Sequence, residues 1–407
     1  MAKLKGNLVV AQSGGPTAVI NASLAGVAQE GLKHADTITG VYGSLHGIEG
    51  ILYEQLVDLG KESPRTLDLL RVTPSSALGS CRHKVTPADY DRILSVFKAH
   101  NIRYFFYIGG NDSMDTAHRV GQLAQEAGYD LACMGAPKTI DNDLDFTDHC
   151  PGFGSVARWI ASSTRDAGLD TEAIGVVDKV KVIEIMGRNA GWITAASALA
   201  RDHADAAPHL IYVPERPIIM DELLEDVQKV YDRLGYVVLT VCEGAKGPYG
   251  QSLSASTKSI DLDAFGHAQM GGAAGLLCRE ISANLKLKAR FDKPGTIQRT
   301  SIVLASKTDQ DEAYLTGQMA VRQALDGVTD KMVTLVRESD DPYRCTTGLA
   351  DLDKVANAEK VMPKEFINER GNDVTEAFLK YARPLIGGPL PEYGYLQKMA
   401  LPKLLSR

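Results

Sequence analysis

Short apolar runs alternate along this chain with longer stretches in which apolar residues recur every three or four positions. The runs Leu8–Gln12, Tyr104–Ile108, Leu131–Ala136, Val180–Ile185, His209–Val213, Tyr236–Cys242 and Lys331–Val336 have the length and composition of strands. Helical spacing predicts helices over Thr17–Lys33, Thr86–His100, Met114–Ala127, Ser155–Ala167, Trp192–Ala200, Asp221–Leu234 and Asp311–Ala324. Strand and helix alternate in both halves, which predicts an α/β protein with parallel sheets in two similar layered domains. Three stretches break the rhythm. Tyr42–Leu59 is glycine-studded and resists assignment, and Lys246–Ser259 reads as a mobile loop rich in Gly, Ser and Lys. Beyond Arg344 the periodicity weakens, and the proline-bearing tail from about Ala382 reads as irregular wrapping.

The chemistry sits where strands give way to helices. After the first strand comes Ser13-Gly14-Gly15-Pro16; Pro16 suits a first helical position, and the glycines let backbone amides approach an anion. Ser75–Arg82 is a small-residue loop closed by Arg82, which could clamp a phosphate or be a plain surface charge. Gly109-Gly110-Asn111-Asp112-Ser113 follows another strand and is not a GxGxxG turn, so a dinucleotide fold gets little support. The stretch Pro137-Lys138-Thr139-Ile140-Asp141-Asn142-Asp143 ends the next strand. Two acids at i and i+2 can divide labour, one taking a proton while the other orients it or faces a metal. Lys138 would neutralise a phosphate beside them. The same residue types also make ordinary solvated turns. Met186–Gly191, with Arg188, either reaches a phosphate or sugar oxygen or is a simple βα turn, and Glu243-Gly244 ends a further strand. Glycine turns at the carboxyl ends of neighbouring strands are where open α/β sheets bind ligands. Acids, Lys138 and Arg82 in such a crevice suit a polyanion with a divalent metal. The basic run Leu285–Arg290 is either a solvated face or a reach into an anion site.

Composition narrows the class. At 407 residues the chain has room for two domains, and 44% hydrophobic with 23% charged residues is a soluble globular balance. A net charge of −7 argues against a general nucleic-acid binder. No signal peptide and no apolar run of membrane-spanning length is expected. Six dispersed cysteines without a CxxC pair read as reduced thiols, which points to the cytoplasm.

The combination SGGP at 13–16, LGSCR at 78–82, GGNDS at 109–113, PKTIDND at 137–143, MGRNAG at 186–191, CEG at 242–244 and GTIQR at 295–299 resembles the phosphofructokinase family, and within it the diphosphate-dependent branch. The motifs keep the family's order over roughly three quarters of the chain. The resemblance implies two three-layer Rossmann-like domains with the active site in the cleft between them. Residues 1–152 with about 298–345 would bind the phosphoryl donor, and 153–297 with 346–407 the sugar phosphate. The implied reaction is reversible, magnesium-dependent transfer from diphosphate to the 1-hydroxyl of fructose 6-phosphate. Asp141 is the implied base, assisted by Lys138 and Asp143. Gly14, Gly15, Arg82, Asp112, Ser113 and Lys138 would bind or select the donor. Thr139, Asp141, Met186, Gly187, Arg188, Glu243, Thr296 and Arg299 would bind the sugar phosphate. Lys179 and Arg290 would be lent by a neighbouring subunit, which implies a homodimer or larger homo-oligomer with shared sites. Asn111 and Asp143 would face Mg2+. Three positions depart from the family pattern: Asn111 replaces an aspartate, Thr296 a histidine or tyrosine, and Lys179 the arginine of many relatives.

Overall fold

A computed structural model describes residues 4–253, 272–356 and 358–404. The chain opens with β1 (Gly6–Gln12), α1 (Ile20–Leu32), β2 (Ile38–Ser44), α2 (Ile48–Leu52) and β3 (Leu56–Asp58). After α3 (Pro64–Leu70) come α4 (Pro87–Ala99), β4 (Ile102–Gly109), α5 (Asn111–Glu126) and β5 (Ala132–Pro137). The long α6 (Phe153–Ile174) leads to β6 (Val180–Ile185), α7 (Trp192–Ala196), β7 (Leu210–Tyr212), α8 (Met220–Leu234) and β8 (Val237–Cys242). Next come α9 (Ala273–Leu285), β9 (Ala289–Asp292), α10 (Ile297–Thr300) and α11 (Lys307–Leu325). The last elements are β10 (Lys331–Asp340), β11 (Tyr343–Asp351), α12 (Leu352–Ala356) and α13 (Glu376–Ala382).

Two sheets organise these elements. The first has strand order β11-β10-β5-β4-β1-β2-β3 and is parallel except at its two edge strands. The second, β7-β8-β6-β9, is parallel throughout. The inner strands β1, β4, β5, β6 and β8 are covered on both faces, which is why they are continuously apolar. Along β1 and β4, Val9, Ala11, Phe105 and Tyr107 pack into one core, and Leu8, Val10, Tyr104 and Phe106 into the other. Ile183 and Ile185 of β6 pack with α6 and α7, and Val180 and Val182 with α8 and α9. Burying each such side chain contributes about 1.5–3 kcal/mol, so a polar residue at these positions would be costly on either face. No helix among the described residues is long and apolar enough to cross a membrane.

The structure departs from the sequence pattern at several places. Helix α1 begins at Ile20, and Pro16 lies outside it. Thr17 Oγ1 accepts the amides of Val19 (3.2 Å) and Ile20 (2.9 Å), holding a non-helical turn ahead of the helix, whose cap position is Val19. The stretch left unassigned contains β2, α2 and β3. The α6 helix runs on to Ile174, and α5 begins at Asn111 instead of Met114. The region after Arg344 contains β11, an exposed antiparallel edge strand. Of the expected loop after Lys246, residues 246–253 form a turn closed by the Lys246–Ser252 bridge; 254–259 lie outside the described residues. Past the 3₁₀ turn Arg383–Ile386 the tail is irregular and lies along α6. Arg158 donates to the carbonyls of Ile386 and Gly388, and Arg165 to that of Pro391.

Candidate active site

The chain leaves β1 for β2 on one side and returns to β4 on the other, so the turns after β1 and β4 flank the switch point of the first sheet. The turn after β5 lies next to them, because β5 pairs with β4. A pair of buried side-chain amides builds the floor. Gln12 Nε2 donates to Asn21 Oδ1 (3.0 Å), and Gln12 Oε1 accepts from Ser76 Oγ (2.8 Å) and the Leu78 amide (3.0 Å). This ties the Ser75–Arg82 loop to the first strand. Ser80 Oγ then donates to the Gly14 carbonyl at 2.5 Å, setting Arg82 close to the Gly14–Gly15 turn.

Lys138 reaches back into the same turn. It is 4% exposed and its Nζ donates to the Gly15 carbonyl at 3.1 Å. A Cβ on Gly14, which has φ +77°, would sit 2.9 Å from that ammonium; one on Gly15 would sit 2.7 Å from Arg299 Nη1. Glycine at 14 and 15 therefore makes room for cations as well as amides. Burial draws the Lys138 ammonium down to about 8; Arg299 and Arg82 push the same way, against Asp141 and Asp143. Burial also pushes the Asp141 carboxyl up to about 7, with Asp143 and Glu243 adding to it and Arg188 and Lys138 opposing. Asn142, between the two acids, takes the left-handed conformation (φ +57°) and is fully buried. Thr139 Oγ1 accepts the Asp141 amide at 3.1 Å.

The second sheet supplies the opposite wall. The turn after β6 carries Met186, Gly187 and Arg188, the last at φ +47°. It packs so tightly on the turn after β8 that a Cβ on Gly244 would lie 1.5 Å from the Arg188 carbonyl. Glu243 accepts the Gly187 amide at 3.3 Å, and burial raises its carboxyl. Helix α10 bridges the walls: Gln298 Oε1 accepts the Met186 amide (3.3 Å), while Arg299 extends to Gly15. Arg299, expected on the sugar side, thus reaches the Gly14–Gly15 turn too. Burial and Arg82 lower its pKa, and among the described residues its buried Nε has no acceptor.

Other expected residues are placed as follows. Ser113 is buried in the first turn of α5, and Asp112 is exposed beside it. Thr296 is exposed at the start of α10. Lys179 and Arg290 are not brought to this cleft. They lie at the amino end of the second sheet, about one strand length (~15–20 Å) from Met186. There Lys179 lies over Tyr231 and Arg290 pairs with Asp178 at 2.8 Å. Asn111 and Asp143 pass a chemical test for a hard cation. Asn111 Nδ2 is committed to the Ala358 carbonyl (2.7 Å), and Asn111 Oδ1 and Asp143 Oδ1 are buried acceptors with no donor among the described residues. Two such oxygens fit Mg2+. Sequence reasoning assigned no role to Gln298, though it lies in GTIQR. It also missed the segment 358–360, whose irregular backbone gives no periodic signal.

Gathered here are four basic side chains, Arg82, Lys138, Arg188 and Arg299, around three acids, Asp141, Asp143 and Glu243. Such an arrangement can hold a polyanion and accept one proton beside it. The family described as phosphofructokinase matches residues 7–323. The pyrophosphate--fructose 6-phosphate 1-phosphotransferase of Halomonas elongata is 46% identical over 94% of this chain and 92% of its own. A crystal structure of pyrophosphate-dependent phosphofructokinase from Marinobacter aquaeolei superposes with a TM-score of 0.86 at 41% identity, covering 98% of both chains. A protein of Alkalicoccus urumqiensis described as sulfofructose kinase is 33% identical over 89% of this chain and 92% of its own.

Proposed function

Because the chain belongs to the phosphofructokinase family, we propose that it transfers the terminal phosphoryl group of diphosphate to the 1-hydroxyl of fructose 6-phosphate. The products are phosphate and fructose 1,6-bisphosphate. The observation that carries this reading is the buried Asp141 carboxyl, held at about 7 where the two walls meet among Lys138, Arg188 and Arg299. A base poised there can take the proton of a sugar hydroxyl near neutral pH. Phosphoryl transfer otherwise asks the protein for in-line positioning and neutralised charge.

Gly14 and Gly15 amides, Ser113, Arg82 and Lys138 hold the donor. Thr139, the Met186–Gly187 turn, Arg188, Glu243, Thr296 and Arg299 hold the sugar phosphate. Asp141 takes the hydroxyl proton as the oxygen attacks, and Lys138 offsets charge on the transferred and leaving groups. Asn111 and Asp143 would hold Mg2+, which when bound neutralises charge on the phosphoryl oxygens. Lys179 and Arg290, distant from their own cleft, complete the 6-phosphate site of a neighbouring subunit in a homodimer or larger assembly. Asp112 selects the donor: its carboxylate would meet the α-phosphate of ATP, whereas diphosphate ends before it. The reaction is reversible and serves sugar metabolism in the cytoplasm in either direction. An aldolase-coupled assay with fructose 6-phosphate and Mg2+ tests the reading. Turnover is expected with diphosphate and little or none with ATP; equal efficiency with both would overturn the donor assignment.

A further inference from the structure

The segment 358–360, which belongs to none of the sequence motifs, touches two of the site's turns and the first residue of the helix after a third. The Ala358 carbonyl accepts from Asn111 Nδ2 at 2.7 Å, fixing the amide of the turn after β4. The Lys360 amide donates to the Asp143 carbonyl at 2.7 Å. The Lys360 carbonyl accepts the indole N–H of Trp192 at 3.3 Å, and Trp192 directly follows the 186–191 turn of the second sheet. Its ammonium donates to the carbonyls of Asp148 (2.8 Å) and Thr147 (3.2 Å), lies 3.5 Å from Asn142 Oδ1 and stands 5.2 Å from the Trp192 ring centre. Asn142 is held from a second direction. Its Nδ2 donates to the Tyr381 hydroxyl (2.9 Å), which in turn donates to the Asp148 carbonyl (2.9 Å).

We propose that Lys360 is a positioning residue for phosphoryl transfer. Its ammonium braces the 142–148 backbone that follows Asp141, while its own main chain ties Asp143 to Trp192 and the neighbouring Ala358 carbonyl holds Asn111. The proposal rests on the reading of Asp141 as the base. The physical case is that Asn142 sits in the left-handed region, which asparagine tolerates better than other non-glycine residues but which still needs its buried side chain to be held. That side chain is held by the Cys150 amide, which donates to Asn142 Oδ1 at 2.9 Å, together with Lys360 and Tyr381. Without the ammonium the Thr147 carbonyl loses this donor, the Asp148 carbonyl keeps only the Tyr381 hydroxyl and Asn142 Oδ1 only the Cys150 amide, and the turn can relax. A displacement of about 1 Å at a reacting group can cost about 10²-fold in rate.

The test compares wild type with Lys360→Met, Lys360→Arg, Tyr381→Phe and Asp141→Asn, well below the Tm of each. Calorimetric titration with fructose 6-phosphate reports the folded, binding-competent fraction through its stoichiometry. Hydrogen exchange reports the order of residues 138–150. Lys360→Met is expected to lower kcat about 30- to 100-fold, with both KM values within about threefold and full stoichiometry. Exchange should quicken in 138–150 but not in β1 or β8. Lys360→Arg should recover at least about a tenth of wild-type kcat, and Tyr381→Phe should lower kcat about 3- to 10-fold. Wild-type kcat in Lys360→Met, or a loss only in proportion to lost stoichiometry, overturns the proposal. If Lys360→Met does not fold, an unchanged kcat in Tyr381→Phe overturns it instead. An active Asp141→Asn chain would defeat the base assignment and this proposal with it. An inactive Asp141→Asn chain beside a fully active Lys360→Met chain would defeat this proposal alone.

Discussion

Replacing Asp141 by Asn tests the site's chemistry and its cost with one substitution. In the folded, ligand-free chain the carboxyl is held at about 7, against an ordinary 3.8, chiefly by burial. The folded protein therefore keeps a proton that the unfolded chain gives up between about pH 4 and pH 7. A raised pKa contributes stability that is fully present below the unfolded value and is lost as pH rises through the folded one. The separation corresponds to at most about 4 kcal/mol above pH 7, and relaxation of the interior reduces it to about 2–4. Asn has nearly the same shape and no such charge. In metal-free buffer at pH 8 the variant should be more stable than wild type by about 2–4 kcal/mol, a rise of about 2–5 °C in Tm for a chain of this length. Near pH 4 the gain should vanish. Meanwhile loss of a general base should lower kcat by about 10²–10⁴ while fructose 6-phosphate still binds within a fewfold. Calorimetry at both pH values and initial rates with diphosphate are the assays. A variant keeping more than about a tenth of wild-type kcat refutes the base assignment. One no more stable than wild type at pH 8 refutes the argument from burial.

Three further outcomes follow from the same geometry. The pH profile of kcat/KM should rise through about 7 as Asp141 loses its proton and fall above about 8 as Lys138 loses its own; initial rates in overlapping buffers check both limbs, and Asp141→Asn should abolish the lower one. Asp112→Gly should admit ATP weakly, measured as kcat/KM for ATP, because two like charges about 4 Å apart repel by up to about 4 kcal/mol at an effective dielectric near 20. Arg290→Ala should raise the KM for fructose 6-phosphate far more than that for diphosphate; mixing it with an Asp141→Asn chain should restore activity, and verified mixed dimers without recovery would overturn the shared-site assignment of Arg290.

Much of the fold was legible because the inner strands of both sheets are buried on two faces and stand out as continuous apolar runs. β6, for example, was read at Val180–Ile185, where it lies. The exposed edge strand β11 has no such run, since its Tyr343–Asp351 residues face solvent on one side and pair only with β10. Helix α1 was read three residues early because helical spacing does not reveal the turn that Thr17 Oγ1 holds ahead of it. Within the site, Lys138, Asp141 and the glycine turns were visible as residue types in one short stretch. Residues brought in by long-range contacts were not. Lys360 reaches Asn142 across more than 200 positions, and no local pattern marks a lysine that will be drawn into a buried tie. The placement of Arg299 against Gly15 likewise depends on how α10 crosses between the sheets.

The central claim is direct, reversible transfer between diphosphate and the sugar's first carbon, and phosphorus NMR tests it without coupling enzymes. The protein is incubated with Mg2+, fructose 6-phosphate and diphosphate, and separately with fructose 1,6-bisphosphate and phosphate. The account predicts that the first mixture gains a C1-phosphate signal and phosphate in equal amounts, that the second regains diphosphate, and that both reach one composition. Phosphate appearing without any sugar bisphosphate, or a new phosphoryl group at another carbon, would contradict it.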